Sequence, residues 1–432
     1  MATLTAPMTR QELLSRTASA RQETDKLFGI LDPAALYDRP IPERHRVVFY
    51  AGHLEAFDWN LLRDRLGLQG FNPEFDRLFA FGIDPVDGGL PQDTPNDWPS
   101  ITEVENYRNT IRQHLDSALS QAPEEPALTQ LLNISIEHRL MHAETLEYMF
   151  HQLPMNRKLK VGSDRPRSTN PVTPEMLHVP AGRATLGLRQ DSGQFGWDNE
   201  FEENSVDVPG FFIDRYKVTN GQFLEFMDAG GYDKPEFWTN ADWEWKSSDG
   251  VSHPVFWVQS SNGWNYRTMF EEMPLPLNWP VYVSHAEATA YARWAGKSLP
   301  SEPQWHRAAY GTPQGSERDY PWGNNAPVSS REHWNPPNVG DSPELQSAFG
   351  LADLLATGWE WTATEFAPFP GFEIVPAYPG YSANFFDGKH FVMKGGSTRT
   401  AACMLRRSFR NWFQPHYQYV YAGFRCVKDS DN

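Results

Sequence analysis

Cysteine is nearly absent from this sequence: Cys403 and Cys426 are the only two in 432 residues. A disulfide framework and a cysteine-rich metal site are both excluded. No run of about 18 or more apolar residues occurs, so no membrane-spanning helix is expected. Basic charge is also scarce. Against 55 Asp and Glu stand 38 Lys and Arg, a formal net charge of −17 with no concentrated basic patch. Such a surface repels phosphate backbones and argues against a nucleic-acid partner. The first residues lack a basic-then-apolar signal pattern, so the expected location is cytoplasmic. Aromatic residues, by contrast, are plentiful at 14%, with 16 Trp, and they accompany 35 Pro and 31 Gly. This combination predicts long irregular loops pinned by rings over part of the chain. The length suits two or three domains of roughly 150 residues each.

The texture divides the chain, and the expected fold class is α+β in two domains. Residues 1–155 read as helical. Thr9-Arg10-Gln11-Glu12 is a capping-box pattern that opens a helix reaching about Phe28. A second helix is expected over 42–66, a third from Ser100 and a fourth from Pro126, together an up-and-down four-helix bundle. The connection over 67–99 reads as irregular and acidic. No Lys or Arg occurs over 79–107, whereas Asp84, Asp87, Asp93, Asp97, Glu103 and Glu105 all do. A loop of that length is more often functional than a spacer. Residues 156–174, with Arg165-Pro166-Arg167, read as a basic linker. Residues 175–432 read as a mixed domain of short strands, with one helix expected over 284–295.

Chemistry is suggested first by Glu137-His138-Arg139-Leu140-Met141-His142-Ala143-Glu144. His138 and His142 stand at i and i+4, so one helix face presents both imidazoles. Arg139 stands where a zinc-protease motif needs Glu, so that motif is absent. His53 lies mid-helix among apolar neighbours and is expected to face the bundle core. Each of these histidines has an ordinary structural reading, as a polar residue on a solvated face or a satisfied core residue. Together they suit a metal ion, either iron(II) with open positions for O2 and substrates or zinc with a water. Glu144 is expected to point off that face. His45, His114 and His151 are read as surface residues or as supports behind the ligands.

The second half carries an ordered series of short motifs. It runs from His178-Val179-Pro180-Ala181-Gly182 and Gly196-Trp197-Asp198-Asn199-Glu200 through Lys217-Val218-Thr219-Asn220. It continues with Ala292-Arg293-Trp294-Ala295-Gly296-Lys297, Trp359-Glu360-Trp361-Thr362 and Lys394-Gly395-Gly396-Ser397, and closes with Gly423-Phe424-Arg425-Cys426. The series resembles the formylglycine-generating-enzyme (sulfatase-modifying factor) fold, a C-type-lectin-like domain. Formylglycine chemistry uses two closely spaced cysteines near the C-terminus, and Cys403 and Cys426 are far apart. Fold alone does not bring that activity.

A bundle with His53 and His138-x-x-x-His142, joined to this domain, resembles the ergothioneine-pathway sulfoxide synthases and the related selenoneine synthases. Their N-terminal part is a DinB-like bundle, and the second domain completes the substrate pocket. The resemblance implies iron(II) on His53, His138 and His142. It implies O2-dependent joining of a sulfur or selenium donor to C2 of the hercynine imidazole. Asn411, Trp412 and Phe413 resemble the segment that contacts hercynine, whose fixed positive charge favours aromatic faces. Tyr378 and Tyr381 are the candidate proton donors. Members of the mycobacterial type carry an acidic residue at the position of Phe413, and arginines in the long loop that hold γ-glutamylcysteine. The cation-free stretch 79–107 therefore leads to the expectation of an uncharged donor, a selenosugar, with cysteine or γ-glutamylcysteine as the alternative. Two other readings remain open at this point: a zinc-dependent DinB-like thiol transferase, and a non-enzymatic binding module.

Overall fold

Thr9 starts the first helix as its pattern requires. Its N–H donates to the Glu12 carboxylate at 2.7 Å, and its hydroxyl accepts from the Glu12 N–H at 3.3 Å. The computed structural model describes residues 9–80, 90–159, 171–326 and 333–430. The chain divides into two units, Met1–Ser163 and Asp164–Asn432.

The first unit is helical: α1 Arg10–Phe28, α2 Val47–Leu62, α3 Pro73–Leu78, α4 Ile101–Gln121 and α5 Pro126–Gln152. Two expectations need correction. The second helix begins at Val47 rather than near Pro42, because Arg46 is its N-cap. The Arg46 guanidinium is committed elsewhere, to the Tyr37 carbonyl at 2.7 Å and the Asp93 carboxylate at 3.0 Å. The connection read as irregular contains α3. Asn72 caps it by accepting from the Phe75 N–H at 3.1 Å, and Pro73 occupies the first helical position, where its missing N–H costs nothing. On α4 the buried positions Val104, Tyr107, Ile111, Leu115 and Leu119 form one stripe. Both α2 and α5 are buried on nearly every side. α2 packs on α4 and α5, and α1 packs on α5.

Asp93, Asp97 and Glu103 of the acidic stretch are engaged. Asp93 takes ion pairs from Arg39 and Arg46 and a hydrogen bond from Trp98 Nε1 at 2.7 Å. Asp97 and Glu103 close capping boxes with Thr94 and Ser100. Asp84 and Asp87 lie outside the described residues.

The second unit has β1 Met176–Val179, β2 Gly182–Leu186, β3 Asn204–Val208, β4 Phe211–Asp214, β5 Trp257–Ser260 and β6 Gly263–Arg267. It continues with β7 Glu272–Pro274, β8 Gly358–Glu365, β9 Phe391–Gly396, β10 Asn411–Phe413, β11 Ala422–Gly423 and β12 Val427–Asp429. The sheets run β1-β4-β12, β10-β9-β8-β11, β2-β3 and β5-β6-β7. One helix was expected here; the described residues hold α6 Asn220–Asp228, α7 Asn240–Ser248, α8 His285–Trp294 and α9 Glu302–Tyr310. The extra helices are short and start at Thr219, Thr239 and Ser301, whose hydroxyls cap free N–H groups. Trp305 on α9 is fully buried against Val179, Phe211, Ile213 and Leu354, which ties helix to sheet. No described helix is long and apolar enough to cross a membrane.

Buried ion pairs tie this unit together. Arg425 grips Glu360 with Nε at 2.6 Å and Nη2 at 2.9 Å, and Lys217 approaches the same carboxylate at 3.0 Å. All three side chains are fully buried. The approach to β10 is held similarly. Arg406 pairs with Glu200 at 2.9 Å, Arg407 with Glu317 at 2.9 Å and Arg410 with Glu302 at 3.0 Å. Lys394 on β9 donates to the carbonyls of Arg407 at 3.0 Å and Phe409 at 2.6 Å. Five short bonds thus fix the backbone that delivers Asn411 and Trp412.

Candidate metal centre

The i, i+4 spacing on α5 does what helical geometry dictates: His138 and His142 share one face, and their Nε2 atoms stand 3.1 Å apart. α2 brings His53 to them, with its Nε2 3.2 Å from that of His142. One ring nitrogen from each of the three lies within 4.8 Å of the others, and all three residues are buried.

The tautomer of His53 follows from its other nitrogen. Nδ1 lies 2.7 Å from the Phe79 carbonyl oxygen, which only accepts, so Nδ1 carries the proton and Nε2 carries a lone pair. Burial pushes His53 down to about 4, with the nearby His45 and Arg139 charges adding to it against the Phe79 hydrogen bond. Burial, and then mutual proximity, pushes His138 and His142 well below the ordinary imidazole value. The site is therefore three neutral imidazoles with converging nitrogens. A metal–imidazole bond of ~2.1 Å places two ligand nitrogens ~3.0 Å apart at a right angle and ~3.4 Å apart at the tetrahedral angle. The observed 3.1 and 3.2 Å fall between these limits. The donor set thus fits a divalent transition metal of the kind imidazole prefers.

Aromatic rings wall the cluster. Phe57 stacks on His138 at 3.4 Å and 10°, and Phe49 on His53 at 4.9 Å and 19°. The Phe79 ring is fully buried and lies over Gly52. A methyl group on Gly52 would sit 2.5 Å from three carbons of that ring, closer than any packed contact allows. Glycine inside a helix costs roughly 1 kcal/mol against alanine, and here the ring accounts for it. Gly52→Ala is expected to displace Phe79, shift the carbonyl that holds His53, and weaken metal binding about 10-fold or more. A competition titration against a chelator reads this directly; unchanged affinity would show that the Phe79 carbonyl does not orient His53.

Other histidines behave differently. His151 is buried, contrary to a surface reading, and His114 sits beside Trp59 and Phe71. His45 packs on Phe49 at 4.2 Å. Nothing in the sequence pointed to Phe57 or the Phe79 carbonyl. A backbone acceptor leaves no residue-type signature, and only the glycine inside an apolar helix hinted at a close approach.

In the second unit, Trp412 stacks on Phe366 at 4.2 Å and 6°. Tyr381 stacks on Trp197 at 3.9 Å and stands edge-on to Trp412 at 5.4 Å, with Tyr378 5.9 Å from Tyr381. The structure therefore brings Tyr378, Tyr381 and Trp412 into one aromatic cluster. Asn411 Oδ1 accepts from the Trp412 N–H at 2.9 Å, and Phe413 stacks instead on Tyr417 at 5.0 Å.

Comparison with known proteins accounts for this pairing of units. Residues 16–146 match the DinB superfamily, and residues 163–430 match the sulfatase-modifying factor enzyme 1-like domain. The hercynine oxygenase of Mycolicibacterium smegmatis is 33% identical over 97% of this chain and 99% of its own length. The chain belongs to the ergothioneine-pathway sulfoxide synthase family. The hercynine oxygenase of Mycolicibacterium thermoresistibile is 34% identical over 98% of the chain and 96% of its own length. Similarity to the formylglycine-generating enzyme of Bos taurus, 27% identical, spans only 59% of the chain. Membership in the sulfoxide synthase family is thus carried by both units together.

Proposed function

We propose that this protein is a non-haem iron(II), O2-dependent enzyme that joins a selenium or sulfur donor to C2 of the hercynine imidazole. The observation that carries the reading is the end-to-end similarity to hercynine oxygenases. The three converging imidazoles support it. The overall change is R–ZH + H–C2 + O2 → R–Z(=O)–C2 + H2O, with Z sulfur or selenium. Formation of the C–Z bond and oxidation of Z supply the four electrons that reduce O2.

Iron(II) held by His53, His138 and His142 would supply O2 activation and acidify the donor thiol or selenol. The protein's own residues do the rest. Neutral imidazoles leave the ion its full charge. Phe49 and Phe57 keep the triad in an apolar, water-poor wall. Trp412 offers a ring face to the trimethylammonium group, and the Arg–Glu pairs beside β10 hold that face still. Tyr381, packed between Trp197 and Trp412, or its neighbour Tyr378, is the candidate to give a proton to reduced oxygen. Trp412→Ala is expected to raise the hercynine KM about 10-fold with a smaller effect on kcat, as loss of a cation–π contact worth ~0.5–2 kcal/mol requires. Initial rates against hercynine concentration test it, and an unchanged KM would remove Trp412 from the substrate site.

For the donor we place a selenosugar first. The support is the absence of any cation over 79–107, and Phe413 in place of an acidic residue. Arg39 and Arg46 neutralise Asp93, whereas Asp97 and Glu103 keep their charge in their capping boxes, so the missing cations carry most of this reasoning. Arg108, a cation just beyond that stretch, is held by Asp25 at 2.9 Å. The second reading is a sulfur donor, favoured by the hercynine oxygenase and ergothioneine biosynthesis relatives. Incubation with hercynine, iron(II), O2 and each of selenosugar, cysteine and γ-glutamylcysteine, with products read by mass, decides the matter. Selenosugar turnover is expected to lead. Preferential use of γ-glutamylcysteine would overturn the donor assignment, and zinc retention without O2 uptake would overturn the oxidative reading.

A further inference from the structure

Beside the triad lies a buried ionic tie that the proposed chemistry does not use. Arg139 follows His138 on α5, and Glu55 and Asp58 follow His53 on α2. Arg139 Nη2 donates to Glu55 Oε2 at 2.9 Å, Asp58 Oδ2 at 2.7 Å and the Leu54 carbonyl at 2.9 Å. Its Nη1 reaches Glu55 Oε1 at 3.2 Å and Thr24 Oγ1 at 3.3 Å. From α4, Arg112 donates to Glu55 at 2.6 and 2.9 Å and to Asp25 of α1 at 2.7 and 2.8 Å. Arg139, Glu55 and Asp58 are at most 2% exposed at their side chains. Four helices therefore converge on one forked ion network adjacent in sequence to the ligands.

Replacing such a network by apolar side chains is often neutral or stabilising, so stability does not explain it. Register does. Apolar helix faces tolerate small slides past one another, whereas a guanidinium forked onto two carboxylates has one geometry. A metal site needs its ligand distances within about 0.2 Å. The network also commits both Glu55 oxygens and Asp58 Oδ2 to arginines, and Asp58 Oδ1 accepts from Ser135 Oγ at 2.5 Å, which keeps the ligand set all-imidazole. We infer that Arg139, clamped by Glu55 and Asp58, is the positioning residue that sets α5 against α2 and so fixes His138 and His142 relative to His53. The inference rests on the reading of the triad as a metal site.

Cobalt(II) added to the full chain tests it, read by chelator competition and by the visible ligand-field spectrum. Arg139→Lys and Glu55→Gln are expected to weaken cobalt(II) binding about 10- to 100-fold and to change the spectrum. Leu115→Ala, a cavity variant on the buried stripe of α4, serves as the control for lost stability. It is expected to lower the melting temperature while keeping wild-type affinity and spectrum. If Arg139→Lys does not fold, Glu55→Gln, which preserves shape, carries the test. Wild-type affinity and spectrum in the clamp variants would overturn the inference, as would an equal loss of affinity in Leu115→Ala. A wild-type chain that binds no cobalt(II) would instead refute the metal reading, and the clamp would fall with it.

Discussion

His138→Ala is expected to eliminate hercynine-dependent O2 uptake while leaving the bundle folded. His138 contributes one of the three converging nitrogens. With two left, a neutral and weakly held pair remains on one side of the ion. Loss of a mere supporting group behind a ligand costs about 10- to 100-fold in affinity or activity, so loss of a ligand leaves turnover below ~1% of wild type. The stability effect is smaller. The removed ring leaves a space against Phe57, where it had stacked at 3.4 Å, and most single substitutions cost ~0.5–3 kcal/mol. Metal content by elemental analysis, O2 uptake and thermal melting separate the two effects. Retained turnover in a folded His138→Ala would show the site to be elsewhere.

Arg425→Met carries the largest expected loss of stability. It strips the forked partner from Glu360, which is fully buried, and leaves it the Lys217 ammonium among the described residues. Burial pushes Lys217 down despite this pairing, so Lys217 alone compensates Glu360 poorly. Stranding a buried carboxylate in this way costs ~3–5 kcal/mol. Calorimetry of the full chain is expected to show the second unit's transition falling sharply. Joint replacement as Arg425→Met, Glu360→Leu and Lys217→Met is expected to recover much of the loss, because no charge is left buried. The same groups set the acid response. Burial alone would raise Glu360, Glu302 and Glu200, but their cation partners hold all three below the ordinary value of 4.5. A carboxylate depressed in the fold stabilises it above the unfolded value and loses that contribution as pH falls through the folded value. Stability of this unit is therefore expected to fall progressively below about pH 4.5. Equal melting temperatures at pH 7 and pH 3 would contradict it.

The sequence was most readable where a period or a cap left a signature. His138 and His142 stood out because helical spacing fixes which side chains share a face. Thr9 announced its helix by chemistry visible at i and i+3. The short helices at Thr219 and Ser301 carried the same signature, with Gln222 and Gln304, but their brevity among Gly, Pro and Trp hid it. α3 was lost in the same way, behind the glycines and prolines around it. What no pattern could disclose was partnership across distance. The acidic connection read as free charge, whereas Arg39 and Arg46 already neutralise Asp93. Arg139 read as a missing Glu, whereas its position beside His138 makes it the junction of four helices.

The pairing of β12 with β4 bears on synthesis. Cys426 and Asp214 exchange backbone and side-chain bonds across 212 residues. The first sheet of the second unit thus lacks an edge until Val427 has left the ribosome. The helical unit, built from contacts nearer in sequence, is free to fold during translation. The remainder must wait as a nascent, tryptophan-rich chain, and that interval is when chaperones would matter most.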